Sequence, residues 1–461
     1  TGIYCRPICP APTAKQKNIK YFPSAAAAAE AGFRPCLRCR PEAAPGTPAW
    51  LGTSATVRRA LRLIQEGALD VQSVEQLASR LGIGPRHLHR LFVQHLGASP
   101  VAVAQTRRLH FAKHLIDETR LAMTDIALAS GFGSLRRFND AFRQTYGRAP
   151  RDLRRGQRGL GGKHEALRMR LAYRPPYDWA AIRGFLAARA VPGVEQVADD
   201  CYARSVVVAG KPGRIEVRPV HGATALELAV HGLGPECLFS VVAKVRQVFD
   251  LAADPADVRA VLRKEPLLAP MLRKRPGLRV PGAWDPFEIA VRAVLGQQVS
   301  VATARTFATR IVAAHGMPLA APAGGITHLF PSPGALADAD LSKIGLTGAR
   351  TATLKALARA VRDGDVSFEN GEELRPALLA VPGIGPWTAE YIALRGLSDP
   401  DAFPAGDLVL QRMAGGPKRL TERQLLERSE LWRPWRAYAV LHLWRASSDA
   451  APMKQKARKR A

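Results

Sequence analysis

The sequence predicts a multidomain, predominantly α-helical protein with one short β-rich region. Its 461 residues exceed what a single hydrophobic core usually organises, so several domains are expected. Helical periodicity with glycine or proline turns runs through residues 54–155 and again from about 236 to 447. The stretch between them has short β-branched runs bounded by turn residues, at 205–209, 214–217 and 225–230.

Composition divides the chain further. A cysteine-rich segment, 1–48, closes with a proline- and glycine-containing linker and precedes the helical segment 49–155. A Gly/Arg-rich linker, 156–167, leads to a mixed α/β subdomain, 168–235, a helical domain, 236–447, and a basic tail, 448–461. The chain begins at Thr1 without a methionine, and we expect the first domain to be N-terminally incomplete.

The charge balance predicts a polyanionic partner. The chain has 67 Lys and Arg against 39 Asp and Glu, a formal net charge of +28, and the excess is spread along its whole length. Nucleic acid is the favoured partner, and a solvated basic surface is the alternative. No apolar run approaches a bilayer span and no signal peptide is evident, so we expect a cytoplasmic protein.

Four of the six cysteines are spaced as two ligand pairs. Cys5 with Cys9 and Cys36 with Cys39 can each aim two sulfurs at one ion, which predicts one zinc held by four thiolates. A reducing compartment favours metal ligation over disulfides for such a cluster. The spacing leaves open whether the metal only supports the fold or also makes one sulfur reactive.

Residues 54–155 carry a helix-turn-helix pattern twice. Apolar residues lie on one helical face at 74–81 and resume at 88–92 after a glycine turn, and the pattern repeats around the turn at 131–134. Basic residues occupy the exposed side of each second helix: Arg86, Arg90, Arg136 and Arg137. Such a pair could enter successive major grooves of duplex DNA, although glycine turns are also common in all-α cores.

This tandem pattern resembles the AraC/XylS family of transcription activators. The resemblance covers about residues 54–155 and includes the spacings of Ala127, Gly131 and Phe132 and of Phe138 and Phe142. It implies a DNA-binding domain that activates transcription, with promoter DNA and RNA polymerase as partners.

The first 40 residues resemble the N-terminal domain of the Ada family of adaptive-response regulators. The resemblance rests on the runs at 2–9 and 31–39, which contain all four cysteines. It implies that Cys5 accepts methyl groups from DNA phosphotriesters and that methylation turns the protein into an activator. Methylating one thiolate removes one negative charge, which would strengthen DNA binding. No Pro-Cys-His motif follows, so no alkylguanine transferase is expected. A purely structural zinc ribbon is the alternative.

A glycine hairpin at 379–385 opens onto a helix that begins with Pro386 and Trp387. Backbone N–H groups of Gly383 and Gly385 at a helix N-terminus suit a DNA phosphate. Asp407 follows twenty residues after Trp387. Hairpin and aspartate together resemble the helix-hairpin-helix glycosylase superfamily, in which a downstream aspartate is catalytic.

More of the chain, about 168–447, resembles the 3-methyladenine DNA glycosylase II family. The matching runs lie at 173–179, 185–195, 296–300 and 432–444. The resemblance implies that Asp407 is catalytic and that a flipped alkylated purine enters a pocket lined by Trp387, Tyr391 and Trp444. Ordinary core packing is the alternative for the aromatic residues, and a helix N-cap is the alternative for Asp407.

Two absences favour simple hydrolysis. Trp387 stands where lyase-type relatives have a lysine nucleophile, and the last cysteine is Cys237, which excludes a C-terminal four-cysteine cluster. Gly406 replaces a second acidic residue found in some alkylpurine members, so the positioning of Asp407 is left open.

The combined hypothesis is an adaptive-response protein that fuses a zinc methyl sensor, a transcription activator and an alkylpurine glycosylase. One alternative is a transcription regulator whose glycosylase-like half only binds DNA. A second is a glycosylase whose front half has lost regulation.

Overall fold

The computed structural model describes residues 2–5, 14–36, 55–65, 67–154, 166–369 and 371–458. The chain forms two compact units. One comprises residues 1–173 and 207–243, and the other comprises residues 174–206 and 244–461.

The first segment is a small α/β element. Strands β1 (Ile3–Tyr4) and β2 (Arg34–Pro35) pair in parallel, with helix α1 (Ala25–Glu30) between them in the chain. The Ser24 side chain caps α1 by accepting from the amide of Ala27 at 3.1 Å. This connection gives the two strands the same direction, so that their carboxyl ends meet.

Eight helices form the double helix-turn-helix in the described part of residues 55–154. They are α2 (Ala55–Gln65), α3 (Ala68–Val71), α4 (Val74–Arg80), α5 (Pro85–Leu96), α6 (Pro100–Glu118), α7 (Met123–Ala129), α8 (Leu135–Tyr146) and α9 (Pro150–Leu153). Both predicted helix pairs are confirmed, as α4 with α5 and α7 with α8. A capping box of Ser73 and Gln76 starts α4, and left-handed Gly97 and Gly147 end α5 and α8.

The two helix-turn-helix units are joined by one carboxylate. Asp70, on α3, accepts hydrogen bonds from Arg107 and Arg108 on α6, and the Arg108 Nε distance is 2.7 Å. The same carboxylate lies against Gly131 in the turn between α7 and α8. Gly131 has φ +80, and a Cβ atom there would clash with the Asp70 carboxylate.

The β-rich region contains more strand than the sequence predicted. Antiparallel strands β3 (Ala166–Ala172), β7 (Ala225–His231) and β6 (Lys211–Pro219) lie side by side in that order. In the other unit, β4 (Glu195–Ala198) pairs with the start of β5 (Cys201–Val208), after helix α10 (Trp179–Arg189). Strand β3 was not predicted, although its apolar residues alternate with Arg168 and Arg170 as in a strand with one buried face, and its pairing with β7 spans more than fifty residues.

The remaining described chain, which begins at residue 238, is mainly helical. Its helices are α11 (Leu238–Val248), α12 (Pro255–Leu262), α13 (Leu268–Lys274), α14 (Pro286–Leu295), α15 (Val301–His315), α16 (Pro333–Ala337), α17 (Gly348–Asp363), α18 (Gly371–Ala380), α19 (Pro386–Gly396), α20 (Leu408–Gly415), α21 (Glu422–Ser429) and α22 (Arg436–Arg458). Helix α14 is apolar almost all round and is buried among α15, α17 and α19.

One hairpin breaks the predicted helical run. Strands β8 (Met317–Ala323) and β9 (Ile326–Leu329) pair antiparallel. Two prolines and three alanines give β8 little strand propensity, so nothing local predicts it. A distant contact fixes the hairpin, because the amide of Thr327 donates to the Gly193 carbonyl at 2.7 Å.

No helix among the residues that the structure describes is both long enough and apolar enough to cross a membrane.

The contact between Asp70 and Gly131 gives a stability prediction. Gly131→Ala should lower the free energy of unfolding by about 1–3 kcal/mol, because the new Cβ meets a carboxylate held by two arginines and the backbone is left-handed. Gly133→Ala is the matched control, since the same turn leaves open space at that position. Urea denaturation followed by circular dichroism measures both variants; equal losses would contradict the role given to Asp70.

Candidate functional site

The strand pair at the front brings two predicted zinc ligands together. The Arg34 amide donates to the Gly2 carbonyl at 2.8 Å and the Cys36 amide donates to the Tyr4 carbonyl at 3.0 Å. Cys5 and Cys36 are the residues at the adjacent carboxyl ends of β1 and β2. Cys5 is exposed and Cys36 is buried. The other two predicted ligands, Cys9 and Cys39, lie outside the described residues.

The donor chemistry of this strand edge fits zinc. Two cysteines at neighbouring strand ends are half of the predicted tetrahedral set, and thiolates are ligands that zinc prefers. The described residues alone contain no group of three or more ligating side chains. The parallel register of β1 and β2 places Cys5, of the first cysteine pair, beside Cys36, of the second, although 31 positions separate them in the sequence.

The cysteine-bearing segment is seated on the helix-turn-helix region. The Tyr4 hydroxyl and His110 Nε2, on α6, are hydrogen-bonded at 2.8 Å. Burial lowers the pKa of His110 to about 4, so the ring is neutral near pH 7. Ser24 Oγ donates to the Leu96 carbonyl at 2.7 Å, and Ser99 Oγ donates to Glu30 at 3.1 Å. Tyr4, the neighbour of Cys5, thus belongs to this contact.

The basic residues of both second helices face outward. All four predicted DNA-contacting arginines are exposed: Arg86 and Arg90 on α5, Arg136 and Arg137 on α8. Each helix is fixed from the opposite face, by Leu88 and Phe92 in α5 and by Phe138 and Phe142 in α8, which are fully buried. The amphipathic division leaves a cationic stripe on each helix, which suits contact with phosphates.

The predicted glycine hairpin connects α18 to α19. Gly383 is exposed with φ +88, and a Cβ atom there would collide with Thr353 on α17. Gly385 is the N-cap of α19 and has no capping side chain, while Pro386 occupies the first helical turn. The first amides of α19 are therefore available to an anion.

Two residues that sequence reasoning did not single out hold this hairpin in place. Gln297 Nε2 donates to the Gly383 carbonyl at 3.0 Å and to Thr388 Oγ1 at 3.1 Å. Arg350 donates to the Gln297 carbonyl at 2.6 Å. Gln297 lies within the run 296–300 that carried the family resemblance, but its bonds span 86 and 91 positions, so only the fold reveals them.

The three predicted pocket aromatics form one cluster. Trp387 and Tyr391 are one turn apart on α19 and stack with 5.3 Å between ring centroids and 12° between planes. Trp444, on α22, lies 6.2 Å from Tyr391 at 47°. All three are only partly buried, whereas Trp432 nearby in the chain is fully buried. An aromatic cluster of this exposure can receive a further ring.

Arg395 fixes the tyrosine of this cluster. Its Nη1 donates to the Tyr391 hydroxyl at 3.1 Å, while its other nitrogens donate to the carbonyls of Pro281 and Gly282. Burial by itself would raise the pKa of Tyr391, but the positive charges of Arg395, Arg189 and Arg292 lower it overall. The hydroxyl is therefore held as an acceptor, and the ring orientation is set from behind.

Asp407 is both a helix cap and a neighbour of the aromatic cluster. As N-cap of α20, its Oδ1 accepts from the amides of Val409 at 2.9 Å and Leu410 at 3.0 Å. Its Oδ2 accepts from Trp387 Nε1 at 3.1 Å. Asp407 is therefore a helix N-cap, as the alternative interpretation expected. This role is compatible with a functional one, because Oδ2 is bonded to Trp387 of the aromatic cluster.

A half-buried ion-pair group supports the turn before Asp407. Arg375 Nε donates to Glu390 Oε1 at 2.6 Å, and Arg375 also binds Asp399 at 2.8 Å. Glu390 Oε2 accepts from the amide of Phe403 at 2.9 Å. Gln411 Nε2 donates to the Ala405 carbonyl at 3.0 Å. These bonds answer the question raised by Gly406, because the turn is positioned without a second acid.

Taken together, the fold and these sites define a DNA-binding protein of the base-excision-repair class joined to a cysteine-bearing regulatory segment. Four family models match the chain: the metal binding domain of Ada over residues 1–42, a helix-turn-helix domain over 77–156, the AlkA N-terminal domain over 168–285, and the HhH-GPD superfamily base excision DNA repair protein over 291–437.

Known proteins match over most of the chain. A probable bifunctional transcriptional activator/DNA repair enzyme AlkA of Mycobacterium tuberculosis is 41% identical over 96% of this chain and 91% of that protein. DNA-3-methyladenine glycosylase 2 of Escherichia coli is 40% identical over 59% of this chain and 95% of that protein. The chain therefore belongs to the family of bifunctional transcriptional activator/DNA repair enzymes of the AlkA type.

A solved structure supports the fold of the glycosylase half. The 3-methyladenine DNA glycosylase of Archaeoglobus fulgidus has a TM-score of 0.53 at 19% identity and covers 59% of this chain and 96% of that one. The resemblances to the Ada, helix-turn-helix and glycosylase families are confirmed by these comparisons. The match to the metal binding domain of Ada supports zinc in the first segment.

Proposed function

We propose that this protein combines DNA alkylation repair with control of transcription. Its C-terminal half hydrolyses the N-glycosidic bond of alkylated purines such as 3-methyladenine, and its N-terminal half senses methylated DNA phosphates. The single observation that carries the enzymatic part is the bond between Asp407 Oδ2 and Trp387 Nε1, which joins the carboxylate to the aromatic cluster. A domain that only gripped DNA would not need that juxtaposition.

The aromatic cluster accounts for recognition of the damaged base. An alkylated purine carries positive charge and has lost electron density, so the faces of Trp387, Tyr391 and Trp444 attract it through cation–π and stacking contacts. Flipping the nucleotide out of the stack costs a few kcal/mol, which these contacts offset for a damaged base more than for a normal one.

Asp407 supplies the catalytic charge. Three N–H groups donate to its carboxylate, and these hydrogen bonds fix both oxygens in place. As the C–N bond to the cationic purine breaks, positive charge develops on the sugar, and a fixed carboxylate stabilises it. Water then adds to the sugar carbon and releases its proton, and the base leaves neutral.

The glycine hairpin between α18 and α19 binds the DNA backbone during hydrolysis. The amides at Gly383 and Gly385 are offered at the start of α19, the same helix that carries Trp387 and Tyr391. A phosphate bound at this helix end would therefore be in a fixed relation to Trp387 in the first turn of α19 and Tyr391 in the second.

In the N-terminal half, Cys5, Cys9, Cys36 and Cys39 would hold one zinc ion, which would supply the positive charge that keeps thiolates ionised at neutral pH. Cys5, the exposed thiol at the end of β1, attacks the methyl carbon of a phosphotriester. The S–C bond forms as the C–O bond breaks, and the DNA phosphate leaves as the diester anion. One negative thiolate is lost, which reduces repulsion from neighbouring phosphates.

The double helix-turn-helix then binds promoter DNA through Arg86, Arg90, Arg136 and Arg137, and RNA polymerase is the partner for activation. The zinc segment is 1–48, the helix-turn-helix region is 49–155 and the glycosylase half is 168–447. The proposed location is cytoplasmic, because the substrate is DNA. A regulator whose glycosylase-like half only binds DNA is the competing proposal, which the next experiment separates.

Asp407→Asn tests the carboxylate without removing the cap. Asn is also a good N-cap, so α20 should be retained, while the charge facing the sugar is lost. Release of 3-methyladenine from alkylated duplex DNA should fall by roughly 100-fold or more. The affinity for duplex DNA, measured by fluorescence anisotropy, should stay within about twofold. If the unmodified protein releases no base, the binding-only proposal is correct.

Trp387→Phe tests the indole N–H apart from the ring. Phenylalanine keeps a stacking face for Tyr391 and the base but cannot donate to Asp407 Oδ2. We expect kcat to fall by about tenfold with KM little changed, because one hydrogen bond to a charged group is lost. Trp387→Ala is the comparison, in which KM should rise as well; a rise in KM for both variants would mean that only stacking matters.

Cys5 can be tested by mass. After incubation with DNA carrying methyl phosphotriesters, peptide mapping should find one added methyl group on Cys5, and Cys5→Ala should take up none. Cys201→Ala, which removes a thiol far along the chain in β5, should be methylated like the unaltered protein. Because the mapping is done on the unaltered chain, a methyl group on any other residue contradicts the proposal even if Cys5→Ala misfolds.

A further inference from the structure

A contact on helix α6 bears on whether the double helix-turn-helix moves independently of residues 207–243, which belong to the same compact unit. The Gly/Arg-rich linker in the sequence favours independent domains joined by a tether. The structure places residues 1–173 and 207–243 in one compact unit, which includes both the double helix-turn-helix and strands β3, β6 and β7. The side chains at this junction are therefore informative.

Phe239, in the first turn of α11, is the centre of the junction. Its ring meets the ring of Phe111 edge to face, with centroids 4.9 Å apart and an angle of 88°. The guanidinium carbon of Arg107 lies 3.9 Å from the Phe239 centroid. Both partners lie on α6, one turn apart, so they form a cleft that a single aromatic ring fills.

Hydrogen bonds fix the Arg107 side of this cleft. The Arg107 guanidinium donates to Asp70 and to the carbonyl of Ile64, and Phe111 is only 8% exposed with Phe239 in place. Around this point, the 3₁₀ turn at Pro235–Cys237 lies against α7, and β3 lies against α6. The contact therefore extends beyond the Phe239 ring and includes these two further pairs of elements.

We propose that the double helix-turn-helix is docked on the segment at residues 235–243 of the AlkA-type domain by Phe239, which is held between Arg107 and Phe111. The interaction surface is internal to the chain, and its partner is the segment at residues 235–243. The two regions then form one folded body with a fixed relative orientation, which a linker alone would not provide. This goes beyond the proposed repair and regulatory activities, and it does not depend on either.

Hydrogen–deuterium exchange on the full-length chain tests the docking. Phe239→Ala should speed amide exchange roughly 3- to 10-fold in residues 100–129, which form α6 and α7, as well as near the substitution. Tyr21→Ala is the matched control, because Tyr21 is 82% exposed, and it should leave residues 100–129 unchanged. Phe239→Trp should restore protection, since an indole also offers an aromatic face to Arg107.

A substitution on the α6 side of the contact tests whether the change in amide exchange extends beyond the substituted segment. Arg107→Met removes the cation over the ring and should speed exchange in residues 235–243 of the other partner. Acceleration in Phe239→Ala that is confined to residues 235–243, with no change at α6 or α7, overturns the proposal. So does an unaltered exchange rate at 235–243 in Arg107→Met.

Discussion

The carboxylate of Asp407 is the group on which the glycosylase half depends, and three N–H donors hold it. Two come from the start of α20 and one comes from Trp387. A partly buried charge without such donors would be costly, so the helix end and the indole stabilise the same ion that the reaction uses. Rigid support matters because a misplacement of about 1 Å can cost two orders of magnitude in rate.

Ion pairs outside the aromatic cluster contribute to this support. The pairing of Arg375 with Glu390 and Asp399 fixes the backbone at Phe403, four residues before Asp407. Behind Tyr391, a second network is more deeply buried. Arg292 Nη1 donates to Glu195 at 2.8 Å and to Glu288 at 2.7 Å, and Arg204 donates to Glu288 at 2.7 Å.

Buried ion pairs of this kind add little net stability, because desolvation opposes their attraction. Their evident effect is geometric. The positive charges of Arg189, Arg292 and Arg395 surround the tyrosine hydroxyl, and Arg395 binds it directly. Arg395 thus sets the orientation of the Tyr391 ring, because it binds the hydroxyl and its guanidinium carbon lies 5.9 Å from the ring centroid.

The sequence determined the local features, because short-range physics controls them. Capping residues, glycine turns and apolar periodicity specified the paired helices of residues 74–146, and cysteine spacing singled out Cys5 and Cys36. Only the tertiary structure decided which distant groups meet: β1 beside β2, Asp70 against Gly131, β3 beside β7, and Trp387 donating to Asp407. These contacts join residues 20 or more positions apart, and no local propensity encodes them. They form when the packed core brings separate helices and strands together and each buried polar group must find a partner.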